Sequence, residues 1–388
     1  MEPRGVVLVA AGGMDGRGAM SVLYIYPGKM RGNGLDLVAR QHLQALSEAG
    51  VKVECLARGA VSMPGITCRF LRHTPANALS FLPAAYYYGA QSRFFGAWAC
   101  RLLDPGRHRL VVAFEGAAGR VFRRARASGV ATALICPMGH VGASGSRAEL
   151  AWPAIGEERL EEEYAAADRI LVRSRRAAET FIQRGVREER MVVVPGGVDE
   201  EAFHPAQVRT PGPFRLLFCG RLSERKGIRQ VVAAWKEAAL SPEQAELWLA
   251  GSEPNEMKAW LDAACGAGVV RLGFVNDVAS VMRQCDAQIL LSEAEGMPKS
   301  LVEGACSGLA TITTSEAGFP VQDGVTGWTV RREDSGGTAR VIRQMADDVE
   351  AVRRMGASAR QEALRHYTWA AFRKAFREGL LPLRQSAD

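Results

Sequence analysis

The sequence predicts an α/β protein of two doubly wound parallel-sheet domains, and three observations carry the prediction. Strand-like apolar runs alternate with helix-like amphipathic runs through most of the chain, the pattern of parallel βαβ architecture. A Pro- and Gly-rich stretch at 195–213 interrupts the alternation once and reads as a linker. The 388 residues hold two domains at roughly 100–200 residues each. With 47% hydrophobic and 23% charged residues, the chain has material for more than one core, which excludes disorder as its main state.

The first secure unit is a strand at 22–26 (VLYIY), a loop PGKMRGNG and a helix from Leu35. Leu35, Val38, Ala39, Leu43 and Leu46 recur at spacings of three and four, and Gly50 is placed to stop the helix. A strand at 51–56 follows, completing βαβ. Further buried strands are expected at 110–114, 132–136, 170–172 and 191–194. After the linker a second series gives strands at 214–219, 246–250, 269–272, 287–291 and 310–314. The expected division is an N-terminal extension (1–19), a first Rossmann-like domain (20–205), a second (206–370) and a C-terminal helix (371–388) that crosses back to the first. Residues 73–92 carry no Lys, Arg, Asp or Glu, and Phe81, Tyr86, Tyr87, Tyr88, Phe94, Phe95 and Trp98 crowd around Arg93. That stretch reads either as a helix buried under the sheet or as a headgroup-facing surface.

Eight Cys are scattered through apolar stretches with no CxxC pair, which argues against a disulfide scaffold or zinc ribbon and for a reducing, cytoplasmic setting. No run reaches the roughly 18–20 apolar residues of a membrane span. The net charge of +7 is uneven: +11 over 1–148, −5 over 149–205 and +1 beyond. This is either a solvated Arg-rich surface or a first domain that faces something anionic, such as a membrane surface or a phosphorylated acceptor.

Three constellations can carry chemistry. Gly220-Arg221-Leu222-Ser223-Glu224-Arg225-Lys226-Gly227 follows the strand FRLLFC. Arg221 and Lys226 at a strand end and helix start suit a diphosphate, whose several oxygens need neutralising together. Glu295-Gly-Met-Pro-Lys-Ser-Leu-Val-Glu303 follows the strand AQILLS and opens a helix at about Pro298. Carboxylates split between a loop and a helix suit vicinal sugar hydroxyls, accepting two hydrogen bonds each. Gly32-Asn33-Gly34 precedes the first helix, where glycines admit a phosphate or sugar to the backbone; it lacks the third Gly of a dinucleotide fingerprint.

Together these motifs resemble retaining glycosyltransferase family four, the group 1 glycosyltransferases of GT-B fold. ADRILVRSRRAAETFIQRGVREERMVVVPGGVDEEAFHPA (167–206), GRLSERKG, RLGFVND (271–277), the Glu-x7-Glu element and DGVTGW (323–328) stand in the family's order. The resemblance covers about 20–375 and is weakest over 60–150. It implies two Rossmann-like domains facing each other across a cleft, with a nucleoside diphosphate sugar (UDP- or GDP-linked) as donor and no cofactor. Arg221 and Lys226 would hold the diphosphate, Glu303 the ribose, and Glu295 the transferred sugar near its reacting carbon. Backbone groups at Lys299, Ser300 and Leu301, with Gly220, would line sugar and phosphates, and Phe274 the base. Gly32 and Gly34 would close on the phosphates, and His140, in the PMGH loop, would face the donor sugar.

The reaction so implied is retaining hexosyl transfer to an acceptor hydroxyl. Its two rivals are a nucleotide-sugar epimerase and a silent sugar-nucleotide-binding scaffold. No DxD element stands in a strand-end loop, so no metal is expected; the cations would stabilise the leaving diphosphate. The expected acceptor is a lipid-linked or cell-envelope glycan, as in polysaccharide biosynthesis, with the protein peripheral on an anionic membrane. Nucleic acid is not an expected partner, since no recognition motif is present.

Overall fold

The structure, a computed structural model, describes residues 7–10, 21–31, 34–82, 84–143, 156–208 and 211–385. They form two compact units. One takes in the described residues up to Val194 together with those from Phe372 onward; the other runs from Pro195 to Ala371.

The first unit holds an eight-stranded sheet of order β1-β4-β3-β2-β5-β6-β7-β8. Its strands are β1 (Val7–Ala10), β2 (Ser21–Ile25), β3 (Lys52–Ala57), β4 (Ile66–Phe70), β5 (His108–Phe114), β6 (Ala131–Ile135), β7 (Arg169–Val172) and β8 (Met191–Val193). All pairs are parallel except β1 with β4, which run antiparallel with Val7 opposite Phe70. Residues 7–10 are thus an edge strand rather than part of a loose extension. Strand β4 was also unforeseen, because its alternating burial leaves Thr67 and Arg69 half-exposed and breaks the apolar run that marks a central strand. Five helices follow in order: α1 (Gly34–Glu48), α2 (Ala84–Leu102), α3 (Gly119–Ala127), α4 (Glu157–Ala166) and α5 (Arg175–Ile182). In α1 the expected face is buried through Val38, Ala39, Leu43 and Leu46, while Leu35 stays exposed. The buried reading of the aromatic stretch holds for Phe95 and Trp98 of α2, which lie in the core, while Phe81 before the helix and Tyr86 and Tyr88 on it are exposed.

The second unit holds a six-stranded, wholly parallel sheet of order β11-β10-β9-β12-β13-β14. The strands are β9 (Phe214–Cys219), β10 (Ala245–Ala250), β11 (Val269–Gly273), β12 (Ala287–Leu290), β13 (Ala310–Thr313) and β14 (Gly327–Thr329). Helices α6 (Ile228–Ala238), α7 (Asn255–Ala264), α8 (Val278–Met282), α9 (Lys299–Cys306), α10 (Ser335–Asp347) and α11 (Val349–His366) connect and cover them. Helix α6 shows why: Ile228, Val231, Val232, Trp235 and Ala238 fall on one stripe and are all buried, each large side chain contributing roughly 1.5–3 kcal/mol.

The stretch read as a linker is in part packed structure. Val198 donates its N–H to Tyr367 O at 2.7 Å and accepts from Trp369 N at 3.2 Å, its side chain is buried in the second core, and Phe203 packs beside it. Isolated apolar residues between Pro and Gly show no period, so the sequence pattern hides them. The last helix, α12 (Trp369–Gln385), stacks Phe372 and Phe376 on His42 of α1 at ring distances of 5.2 and 4.1 Å, and Arg373 and Arg377 reach Glu48.

Candidate active site

In a parallel sheet the loops at the carboxyl ends of the strands are where ligands bind. In the second unit those loops are tied to one another. The β9 loop is fixed by Gly220 N to Ala250 O (2.9 Å), Leu222 N to Ser252 O (3.0 Å) and Lys226 N to Ser223 O (3.1 Å). Arg225 O accepts from Glu293 N of the β12 loop at 2.9 Å. Arg332 fastens both loops from behind, donating to Glu224 O at 2.7 Å and Leu291 O at 3.2 Å. Gly227 turns the chain into α6 at φ +77°; a Cβ there would stand 2.1 Å from Leu291 O, so only glycine admits this approach.

The loops bring Lys226 and Glu295 together. Lys226 Nζ lies 2.6 Å from Glu295 Oε1, and Arg225 Nη1 donates to the same oxygen at 2.8 Å and to Ala294 O at 3.0 Å. All three side chains are only 12–15% exposed. Two cations on one carboxylate oxygen leave a net positive charge in a half-enclosed place. Arg221 is placed elsewhere: its side chain is 54% exposed and points to Glu256 on α7, 3.8 Å away.

Helix α9 starts beside this cluster. Pro298 is its N-cap, one position ahead of the expected first turn, and makes no side-chain cap. The Leu301 N–H is engaged by Pro298 O at 3.2 Å. Lys299 and Ser300 carry first-turn N–H groups that helix geometry leaves without an intrahelical acceptor. Glu303 is buried on α9 and paired with Lys299 one turn earlier; burial pushes its carboxyl above the usual range, with Lys299 opposing the shift. Cys219 at the end of β9, pushed up to about 11 by burial, feels Glu303, Lys226 and Lys299 together. Beyond β11, Phe274 is 75% exposed, a bare aromatic face.

The first unit places the remaining expected residues. Gly32 lies outside the described residues. Gly34 opens α1 at φ +51°, with open space where a Cβ would stand, so its backbone angle, not crowding, favours glycine. In that first turn Asp36 accepts from Arg31 N at 2.8 Å and Tyr26 Oη at 2.6 Å. His140 is not displayed on its loop: it is buried against Tyr164 and Phe181. Its Nδ1 accepts from Gly142 N at 3.1 Å, which puts the proton on Nε2, 3.3 Å from Glu161 Oε1.

The family model for group 1 glycosyl transferases matches residues 213–348, and that for glycosyltransferase family 4 matches residues 32–202. The chain belongs to the group 1 glycosyltransferases. It is 26% identical over 390 residues to the D-inositol 3-phosphate glycosyltransferase of Streptomyces avermitilis, covering 87% of this chain and 80% of that one. It is 28% identical over 189 residues to the glycogen synthase of Mycobacterium tuberculosis, where the match spans 46% of this chain and less than half, 45%, of the relative. Among solved structures, sucrose-phosphate synthase from Thermosynechococcus elongatus superposes with a TM-score of 0.73 at 21% identity, covering 95% of this chain and 99% of that one. An Anabaena protein solved with UDP-glucose gives 0.68 at 16% identity, covering 94% and 100%. At these identities the superpositions show the fold, which is GT-B.

Two residues of this glycosyltransferase escaped the sequence reading. Arg225 stood in the GRLSERKG motif without a role, yet it, not Arg221, joins Lys226 on Glu295. Glu163 of α4 is wholly buried; its Oε2 accepts from Gly116 N at 2.6 Å and its Oε1 from Ala118 N and Gly119 N at 3.0 Å. Burial pushes that carboxyl up to about 7 against the pull of these N–H groups. A signal for Arg225 was present in its place next to Lys226. Glu163 sits in a run of three acids that sequence cannot tell apart.

Proposed function

We propose that this glycosyltransferase moves a hexosyl group from a nucleoside diphosphate sugar to an acceptor hydroxyl, with retention at the anomeric carbon and without a required divalent metal. The observation that carries the reading is the Lys226–Glu295–Arg225 cluster beside the start of α9. It offers fixed positive charge and first-turn N–H groups where a leaving diphosphate needs both, the kind of preorganised electrostatics that contributes most to catalysis. Lys226 takes a phosphate oxygen, and Glu295, relieved of Lys226, faces the transferred sugar. Lys299 and Ser300 offer their N–H groups and Gly220 leaves room at the strand end; Leu301, its N–H engaged, contributes packing. Glu303 accepts from ribose hydroxyls, Phe274 stacks on the base, and Arg221 swings from Glu256 to the outer phosphate. The bond from the anomeric carbon to the diphosphate oxygen breaks, the acceptor oxygen bonds that carbon on the same face, and the acceptor proton passes to a donor phosphate oxygen.

UDP is the favoured nucleotide of the donor because a structural neighbour was solved with UDP-glucose. Gly34 stays a candidate phosphate contact of the first-unit loop. With both ring nitrogens engaged inside its own unit, His140 positions the 137–143 loop and is given no contact with the reacting atoms. An anionic lipid-linked or envelope acceptor is supported by the charge of +11 over 1–148. No helix among the described residues is long and apolar enough to cross a membrane.

The test is a melting-temperature panel against UDP, GDP and their common sugars, with and without EDTA, on the native chain and Lys226→Ala. A ligand at one hundred times its dissociation constant adds about 2.7 kcal/mol. Stabilisation by one nucleotide, insensitive to EDTA and lost in the variant, is expected. No shift with any nucleotide overturns the reading in favour of a silent scaffold.

A further inference from the structure

A second concentration of positive charge lies in the first unit, apart from every residue assigned above to the donor. Arg93 of α2, Arg120 and Arg123 of α3, and Arg159 of α4 line one pocket of about 330 Å³, with Glu162 as the only acid among the described residues of its wall. That volume falls within the roughly 300–1,000 Å³ that small-molecule sites occupy. Arg123 is paired with Glu162. Among the described residues, Arg93 and Arg120 have no side-chain hydrogen bond or ion pair. Arg159 donates through Nη2 to Gly116 O at 2.8 Å, while its Nη1 is buried without a partner.

A second carboxylate beside the pocket, Glu163, is committed to the backbone. It spends both oxygens on the backbone N–H groups of Gly116, Ala118 and Gly119, so among the described residues Glu162 is the acid left in the wall to meet the four guanidinium groups. Burial first, and then Arg93 and Arg120, draw Arg159 below the usual guanidinium range against the pull of Glu163 and Glu162. Four guanidinium groups against one carboxylate leave a surplus that a solvated surface would disperse, because like charges at close range are unfavourable. Here three helices hold them around a common space. Forked donors from several directions match the oxygens of a phosphate, where bidentate contacts add both energy and geometry.

We propose that this pocket binds the phosphate group of an organic compound, separately from the nucleotide sugar. The test titrates glycerol 3-phosphate, and in parallel vesicles of phosphatidylglycerol or phosphatidylcholine, into three proteins: the native chain, Arg93→Ala/Arg120→Ala and Lys226→Ala. The side chains of both substituted arginines are exposed and make no described hydrogen bond or ion pair, so the double variant should keep its melting temperature. The native chain and Lys226→Ala are expected to bind equally, and the double variant at least tenfold more weakly, with affinity falling as salt rises. Binding of glycerol 3-phosphate identifies a soluble source of the phosphate. Binding confined to phosphatidylglycerol vesicles, and equally weakened in the double variant, identifies a headgroup. The proposal is overturned if neither probe binds, if the double variant binds as the native chain does, or if binding disappears in Lys226→Ala, which would place it in the donor site. Because UDP stabilisation is read separately, failure here leaves the donor assignment standing, and the reverse holds too.

Discussion

The two units treat the start of a helix in opposite ways. In the first, α3 begins under a buried carboxylate, and Glu163 takes three backbone N–H groups for itself. In the second, α9 begins after Pro298 with no side-chain cap, and the nearby carboxylates are engaged by cations: Glu295 by Lys226 and Arg225, Glu303 by Lys299. An unfilled helix start next to fixed positive charge is an anion site; a start already holding an anion is a structural joint. In the proposed reading the difference separates a place that receives phosphate from one that holds a loop, although both combine acids, glycines and a strand end.

Breaking the open start has the largest expected effect. Lys226→Ala should lower kcat by roughly 100- to 1,000-fold, the loss typical of removing one fixed charge-stabilising group. The change in melting temperature without ligand should be small, because Arg225 still holds Glu295. Steady-state kinetics beside a thermal melt checks both. A collapse of the melting temperature with proportionate loss of activity would make Lys226 a structural residue like Glu163.

Breaking the closed start should act on stability. The Glu163 carboxyl is raised to about 7 in the folded chain, so the fold binds its proton more tightly than the unfolded chain does. Its contribution is therefore greatest below pH ~4.5, falls as pH rises towards 7, and is flat above. The shift corresponds to a change on the order of 3 kcal/mol across that window. Glu163→Gln removes the titration, so the fall in melting temperature between pH 4.5 and 7 should largely vanish. The variant should also be less stable below pH 4.5, because its amide meets the Gly116 N–H donor to donor. An unchanged pH profile would show that Glu163 is not the titrating group.

How far each of these places was legible in the sequence follows from the same contrast. The central strands were readable because burial on both faces makes them continuous apolar runs, as in VLYIY and FRLLFC. Strand β4, between the edge strand β1 and β3, alternates in burial and went unseen. Lys226 and Glu295 were readable because both sit in loops at strand ends, where charge has few structural reasons to be. Arg225 was passed over, since neighbours in a loop differ only in direction, which the fold decides: Arg225 points to Glu295 and Arg221 to Glu256. Glu163 and the arginine pocket were illegible for a related reason. A run such as EERLEEEY looks like a solvated helix face until packing against α3 buries one of its acids. Four arginines from three helices have no spacing in common.

The comparison is sharpest where one helix start is converted into the other. Pro298 sits at the N-cap of α9 in extended backbone, φ −65° and ψ 123°, a conformation that Asp adopts readily as a capping residue. Pro298→Asp would place a carboxylate where its oxygen accepts from the first-turn N–H groups, giving α9 the arrangement that Glu163 gives α3. Replacing a non-capping residue by Asp should stabilise the second unit by about 1 kcal/mol. The same carboxylate would occupy the N–H groups and place a negative charge at the dipole's positive end, so nucleotide affinity should fall by roughly tenfold. The two effects oppose each other in a single variant: melting temperature up without ligand, and the UDP-induced shift down. If both rise together, the α9 start is not the phosphate site, and the diphosphate must be held by the Lys226 loop without it.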